Sequence, residues 1–161
     1  MRDFSKLSAK FWIGKTGRAI RGDKPSQILA IYLITSPNAN SLGLYYISKV
    51  QMSHETGLTL EEVESALQRL SNLEFAIYDN NSEFIWITEM ARWQYGGANG
   101  LQEPMKESDH RIPAINQLVR DMSGNIFIKR FFEKYQILLH LQQHSTQQNI
   151  EKGLGRGLEG A

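Results

Sequence analysis

Four polar side chains at helical spacing are the residues of this sequence best suited to recognising a nucleic acid. They are Ser65, Gln68, Arg69 and Asn72. Because they are three or four positions apart, a helix places them on one face. Arginine can donate two hydrogen bonds to O6 and N7 of guanine, and asparagine or glutamine can pair with adenine in a similar way. The spacing therefore predicts a helix face that reads base edges in DNA.

Positive charge is concentrated at the start of the chain. The first 24 residues contain seven cations and two anions, a local charge of +5, whereas the whole chain of 161 residues has a formal charge of +1. Affinity for DNA comes largely from lysine and arginine side chains that neutralise phosphates. We therefore expect phosphate contacts from this basic segment and from one later lysine, namely from Lys10, Lys15, Arg18, Arg21 and Lys49.

The predicted reading helix is itself acidic. Residues 59–74 contain four glutamates against one cation, Arg69. Two further acids, Asp79 and Glu83, flank the tip of the predicted hairpin that follows. Since these charges repel DNA, duplex binding depends on the basic segment. An acidic helix face is equally suited to a protein partner.

Two helices joined by a tight turn must position the reading face. Ser48 and Gln51 have the spacing of a capping box, and Thr59 and Glu62 have the same spacing at the start of the second helix. Between them, Gly57 can adopt the left-handed conformation that ends a helix, with Leu58 as its hydrophobic contact. The second helix is predicted to bury one stripe of apolar residues: Leu60, Val63, Leu67 and Leu70.

The flanking elements complete the pattern of an α+β winged helix-turn-helix. A helix begins at Pro25, a short strand covers residues 42–47, and a hairpin pairs residues 75–78 with 84–87. Phe11 and Trp12 are predicted to anchor the basic N-terminal extension in the core. Helix, strand, helix, helix and hairpin is the order of a winged helix.

Two more helices are predicted after the hairpin. The expected domains are residues 1–92 with the winged helix, 93–108 as a loop, 109–144 as a helical pair and 145–161 as a low-complexity tail. The second helix of the pair has an amphipathic stripe at Ile128, Phe131, Phe132, Tyr135, Leu138 and Leu139. This stripe either packs on the winged helix or forms a homodimer interface.

The sequence does not favour nucleotide binding, metal binding or catalysis. Residues 9–16 fit a relaxed phosphate-binding loop, but bulky Phe11 and Trp12 occupy positions that need small residues. His140 and His144 lack a third metal ligand, and no nucleophile, base or carboxylate arrangement indicates an enzyme. No cofactor or metal is therefore predicted. The charged N-terminus and the absence of a long apolar run predict a cytoplasmic protein without membrane contact.

Several short motifs together resemble a known family. The motifs are Phe11-Trp12-x-Gly14-Lys15-Thr16-Gly17, Tyr32-Leu33-x-Thr35-Ser36-Pro37-x-Ala39-Asn40, Gly43-Leu44-Tyr45, His54-Glu55-Thr56-Gly57-Leu58, Tyr78-Asp79, Met90-Ala91-Arg92 and Phe131-Phe132-x-x-Tyr135. As a set they resemble the winged-helix N-terminal region of bacteriophage and prophage replication proteins, which are similar to replisome organisers. The resemblance implies origin binding and recruitment of a helicase or helicase loader. The Gly-rich stretch 96–100 departs from that pattern.

Three functions follow as alternatives. The first is a DNA-binding protein of phage-type replication initiation, which binds double-stranded DNA and also has single-stranded DNA as a candidate ligand. The second is a protein-interaction module of a primosome that uses the acidic helix face. The third is a prophage transcriptional regulator, which would protect palindromic half-sites as a dimer.

Overall fold

The computed structural model describes residues 4–142, which form two compact units with a boundary between residues 102 and 103. Together these residues form seven α-helices and one three-stranded antiparallel sheet. The predicted α+β class is therefore confirmed. The predicted tail, residues 145–161, lies outside the described residues.

The first unit contains five helices and the whole sheet. A 3-10 turn (Ala9–Phe11) precedes the following elements: α1 (Lys15–Ala19), α2 (Lys24–Thr35), β1 (Leu44–Tyr46), α3 (Lys49–Thr56), α4 (Leu60–Asn72), β2 (Ala76–Tyr78), β3 (Phe84–Ile87) and α5 (Met90–Tyr95). Asp23 caps α2 by accepting from the backbone N–H of Ser26, and Pro25 occupies the first turn. The start of this helix was therefore predicted to within one residue.

The sheet has the strand order β1-β3-β2. In the hairpin, Ala76 lies opposite Ile87 and Tyr78 opposite Ile85, so the predicted pairing is confirmed. On its other side β3 pairs with β1, which is shorter than the predicted strand of residues 42–47. The hairpin loop is closed by Asp79, whose carboxylate accepts hydrogen bonds from the backbone N–H and the hydroxyl of Ser82, both at 2.7 Å.

The junction between α3 and α4 has the predicted caps. Gly57 has φ = 75°, and its N–H donates to the carbonyl oxygen of Ser53 at 2.9 Å. At the start of α4, the Thr59 hydroxyl accepts from the N–H of Glu62 at 3.1 Å, and the Glu62 carboxylate accepts from the N–H of Thr59 at 2.8 Å. At α3 only half of the predicted box forms, because the Ser48 hydroxyl caps the backbone of Gln51 while the Gln51 side chain bonds elsewhere.

The core of the first unit lies where α2, α4 and the sheet meet. α2 packs against α3 and α4, and α4 packs against β2. The buried positions of α4 are Val63, Ala66, Leu67 and Leu70. Leu60 was predicted to be inward, but it is 51% exposed because it lies in the first turn of the helix, and Leu58 in the preceding turn is buried instead.

The N-terminal segment is folded onto this core through one aromatic residue. The ring of Phe11 lies 6.4 Å from that of Phe75 and packs against the hydrophobic core. The prediction that Trp12 also anchors the segment in the core is wrong, because its side chain is 47% exposed. α1 lies directly against this turn at Gly17, where a Cβ atom would be 2.0 Å from the carbonyl oxygen of Phe11.

The predicted loop of residues 93–108 begins too early. α5 continues to Tyr95, and the Tyr95 hydroxyl lies 2.5 Å from the hydroxyl of Ser41. The segment that follows turns back on α5, since the N–H of Leu101 donates to the carbonyl oxygen of Arg92 at 2.9 Å. The Gly-rich stretch 96–100 therefore closes a short turn within the first unit.

The second unit contains α6 (Ile112–Asp121) and α7 (Ile128–Tyr135). Phe131, Tyr135 and Leu139 of the predicted stripe are fully buried within the chain, but Leu138 and Leu139 lie beyond the end of α7. Buried Asn116 connects α6 to the segment after α7. Its amide donates to the carbonyl oxygen of His140 at 3.2 Å, and its side-chain oxygen accepts from the N–H of residue 142 at 2.9 Å.

Candidate nucleic-acid interface

The four predicted base-reading residues lie together on the exposed face of α4. Ser65, Gln68, Arg69 and Asn72 are all exposed, while the positions between them are mostly buried. The side-chain amide of Gln68 donates to the side-chain oxygen of Asn72 at 3.0 Å. Each of these two amides keeps further donor and acceptor capacity for a base edge.

Arg69 is held by the segment that connects α1 to α2. Its Nη2 atom donates to the carbonyl oxygen of Ala19 at 2.7 Å, and its Nε atom lies 3.2 Å from the carboxylate of Asp23. Ala19 and Arg69 are 50 positions apart in the sequence. These contacts place the basic N-terminal segment beside the last turns of α4.

We call residues 15–24 together with Arg69 the basic corner. It contains five cations, namely Lys15, Arg18, Arg21, Lys24 and Arg69, and one anion, Asp23. Lys15, Arg18 and Arg21 are exposed, and none of the three forms an ion pair within the described range 4–142. The structure thus brings together three of the five predicted phosphate-binding residues and one predicted base-reading residue.

The other two predicted phosphate-binding residues have partners elsewhere. The Lys10 ammonium donates to the side-chain oxygen of Asn99 at 2.5 Å. Lys49 forms an ion pair with Glu64 at 3.0 Å, and its ammonium lies 5.8 Å from the centre of the Tyr78 ring. Glu64 and Arg69 are five positions apart, about 7.5 Å along α4, so Lys49 lies towards the opposite end of the helix from the basic corner.

Charge changes sign along α4. Glu61, Glu62 and Glu64 lie in its first half and are exposed, although Glu62 caps the helix and Glu64 pairs with Lys49. The second half contains Gln68, Asn72 and Arg69, and Arg69 belongs to the basic corner. Negative charge at a helix N-terminus also interacts favourably with the helix dipole. The acidic half therefore stabilises α4 while it repels phosphate.

The hairpin loop is acidic, and its carboxylates have structural partners. Hydrogen bonds from the side chain and the backbone of Ser82 lower the pKa of Asp79. The Tyr46 hydroxyl donates to Glu83, and this hydrogen bond raises the pKa of Tyr46. Burial, followed by the charge of Glu83, raises the pKa of Tyr78 to about 12. The lowered pKa keeps Asp79 ionised at neutral pH, so this carboxylate repels an approaching phosphate.

Comparison with known proteins identifies no relative. No protein-family model, no curated protein and no solved structure matches the chain. The resemblance to phage replication proteins therefore depends on its motifs alone and remains a prediction.

The sequence also predicted that the chain binds no metal ion and does not contact a membrane. Within residues 4–142, no group of three histidine, cysteine, aspartate or glutamate side chains lies close enough to hold a metal ion. The His140 ring contacts the carbonyl oxygen of Met105 at 2.6 Å, and His144 lies outside the described residues. No helix in the described part of the chain has the length and apolar character required to cross a bilayer.

The ion pair of Asp23 and the exposure of Trp12 are two features of this region that sequence reasoning missed. The position of Asp23 before Lys24 and Pro25 is a recognisable N-cap signal, but nothing in the sequence indicates that the same carboxylate pairs with Arg69. The exposure of Trp12 was not predicted either, because tryptophan is highly buried on average.

Proposed function

We propose that this chain is a non-enzymatic, DNA-binding winged-helix protein. Three features support the winged-helix assignment: the tight turn at Gly57, the antiparallel hairpin that follows α4, and the pairing of β1 with the second strand of that hairpin. In this architecture the second helix of the pair enters the major groove of DNA. α4 is the corresponding helix here.

The observation that carries the proposal is the contact of Arg69 with Ala19 and Asp23. It joins a base-reading face to a cluster of unpaired cations, which is the combination that sequence-specific DNA binding requires. Lys15, Arg18 and Arg21 then contact phosphates, while Ser65, Gln68 and Asn72 face the groove. Lys10 and Lys49 act as secondary contacts, because each must first leave an existing partner.

The charge gradient along α4 determines how the helix approaches DNA. Helix-turn-helix proteins commonly present the N-terminal residues of the reading helix to the bases. Here Glu61 and Glu62 occupy that end. We therefore expect the second half of α4, with the basic corner, to lie closest to the duplex.

We assign the biological role to initiation of phage-type DNA replication, with a helicase or helicase loader as a further partner. This assignment is supported by the motif resemblance. The DNA-binding part of the proposal is tested independently of this biological role, because it depends on the charges and exposed residues of the first unit.

Duplex binding can be tested by charge reversal at the basic corner. We expect Arg18→Glu with Arg21→Glu to weaken binding to any duplex sequence and to reduce the slope of log affinity against log salt by about 1.8, since each lost phosphate contact contributes about 0.9. The matched control, Lys106→Glu with Lys129→Glu, changes the net charge equally in the second unit. Equal loss of affinity in both variants, or no loss in either, would disprove the interface.

A protein-interaction module is the second candidate, and the exposed start of α4 favours it. Leu60 is 51% exposed beside Glu61, and Val50 in α3 is 67% exposed. An apolar side chain next to acids suits a basic, apolar protein surface. This function is selected if duplex binding is absent at low salt and Glu61→Lys abolishes binding to the cognate helicase or loader.

A further inference from the structure

Trp12 is an exposed aromatic residue in the most basic part of the chain. Its side chain is 47% exposed, and its neighbour Ile13 is 65% exposed. Tryptophan is highly buried on average, so a half-exposed one is an informative departure. The duplex interface proposed above has no use for this side chain, because the bases of a duplex are stacked on each other.

The backbone that carries Trp12 is held firmly. The Ser8 side chain caps the 3-10 turn, and the N–H groups of Ile13 and Gly14 both donate to the carbonyl oxygen of Lys10, at 3.2 and 2.8 Å. The Trp12 ring makes an edge contact with Phe11, with ring centres 5.2 Å apart and an interplanar angle of 81°. A ring fixed in this way loses little conformational entropy when a ligand stacks on it.

Two cations lie on the first turn of α1, which packs against the backbone of Trp12. Gly17 lies against the backbone of Trp12, since a Cβ atom there would be 2.9 Å from the Trp12 Cα atom. Lys15 and Arg18 flank Gly17 in the same helix, and both are exposed. Residues 4–22 contain no aspartate or glutamate. This segment therefore offers one aromatic ring and several positive charges.

We propose that Trp12 stacks on an unpaired base while Lys15 and Arg18 contact the adjoining phosphates, so that this surface binds single-stranded DNA. Aromatic rings and cations in alternation are the arrangement by which proteins hold single strands without reading their sequence. The site shares Lys15 and Arg18 with the proposed duplex interface, but its aromatic residue does not belong to that interface. Its distinguishing residue, Trp12, acts only on unpaired bases.

The test is a titration of the full chain with oligo(dT) at low salt, followed by fluorescence anisotropy of the labelled oligonucleotide. We expect Trp12→Ala to weaken binding of oligo(dT) about tenfold, the effect typical of one lost stacking contact. Trp12→Tyr keeps a stacking ring and is expected to stay within about threefold of the original affinity. Duplex affinity is expected to be the same in all three proteins.

Ile13→Ala is the matched control, because Ile13 is an exposed apolar neighbour that cannot stack. Equal loss with Ile13→Ala and Trp12→Ala would indicate a general apolar contact and overturn the proposal. Unchanged oligo(dT) affinity in Trp12→Ala, or no binding of oligo(dT) by the original chain, would also overturn it. Circular dichroism of each variant shows whether the fold is retained, and Trp12→Tyr provides the second reading if the alanine variant does not fold.

Discussion

Arg69 has two competing roles at the scale of single residues. Its guanidinium donates to the Ala19 carbonyl and pairs with Asp23, yet half of its side chain is accessible. Exposed ion pairs of this kind contribute little to stability, on the order of 0–1 kcal/mol. The main effect of the pair is therefore on whether Arg69 is free to contact DNA, and its effect on the stability of the fold is small.

Replacing Asp23 with asparagine is expected to strengthen DNA binding. Asp23→Asn removes the only anion of the basic corner and leaves an oxygen that can still cap α2. Without its ion pair, Arg69 is free to reach a base edge, and the loss of the anion also removes a repulsion of phosphate, so the affinity for duplex DNA rises. Asp121→Asn, in the second unit, makes the same change of charge as a control. A weaker or unchanged affinity of Asp23→Asn would contradict the assignment of Arg69 to the interface.

Gly57→Ala is expected to destabilise the fold by roughly 1–2 kcal/mol, the cost of a left-handed conformation for a residue with a Cβ atom. Because no atom lies within 4 Å of the Cβ position, the loss comes from the backbone conformation and not from a clash. Urea denaturation measures the difference. Gly124→Ala is the control, since that site is equally open without a positive φ. Equal effects at both positions would refute this explanation.

At the scale of elements, α2 and α3 are connected by a hydrogen bond from the Tyr32 hydroxyl to the Glu55 carboxylate, 2.6 Å long. Partial burial, followed by this hydrogen bond, raises the pKa of Tyr32 to about 12. A free tyrosine has a pKa of about 10. The unfolded chain thus loses this proton at lower pH than the folded chain does.

Stability contributed by Tyr32 is therefore complete below pH 10 and is lost as the pH rises towards about 12. We expect the urea midpoint of the original chain to fall more steeply over this range than that of Tyr32→Phe. Tyr78, whose pKa is also raised, is present in both proteins and cancels in the comparison. Parallel pH profiles would show that Tyr32 ionises equally in the folded and unfolded states.

α1 is positioned by its close approach to the 3-10 turn. Gly17→Ala would place a Cβ atom 2.0 Å from the Phe11 carbonyl oxygen, so α1 must move away from the turn. We expect a loss of about 1–3 kcal/mol in the free energy of unfolding, as for other overpacked sites. Gly97→Ala, in the same unit, is the control, because its Cβ position has no neighbour within 4 Å. If both variants unfold at the same temperature, the close approach does not position α1.

Elements whose signals are local were predictable from the sequence. The caps at Gly57 and Thr59 and the hairpin depend on residues within a few positions of each other, and the structure contains all of them. Exposure was less predictable, because it depends on what the rest of the chain covers. Leu60 and Trp12 were both expected in the core and are about half exposed. Of the candidate site, the exposed polar face of α4 was predictable, whereas its contact with the α1–α2 segment was not.

At the scale of the whole molecule, every residue of the proposed DNA interfaces lies in the first unit. We expect a fragment of residues 1–102 to fold cooperatively and to bind duplex DNA and oligo(dT) as the full chain does, because this unit has its own hydrophobic core. Thermal unfolding and DNA titration of the fragment test this. A fragment that folds but no longer binds would assign part of the interface to the second unit.

The opposite charges of the two halves of α4 act before any contact forms. In the field of a DNA duplex, such a charge separation exerts a torque that turns the molecule with its basic corner forward and its acidic end away. The protein would then reach DNA already aligned, and the rate of association would depend on salt more strongly than the net charge of +1 suggests. Reversing Glu61 would reduce this torque even if the bound complex stayed equally stable.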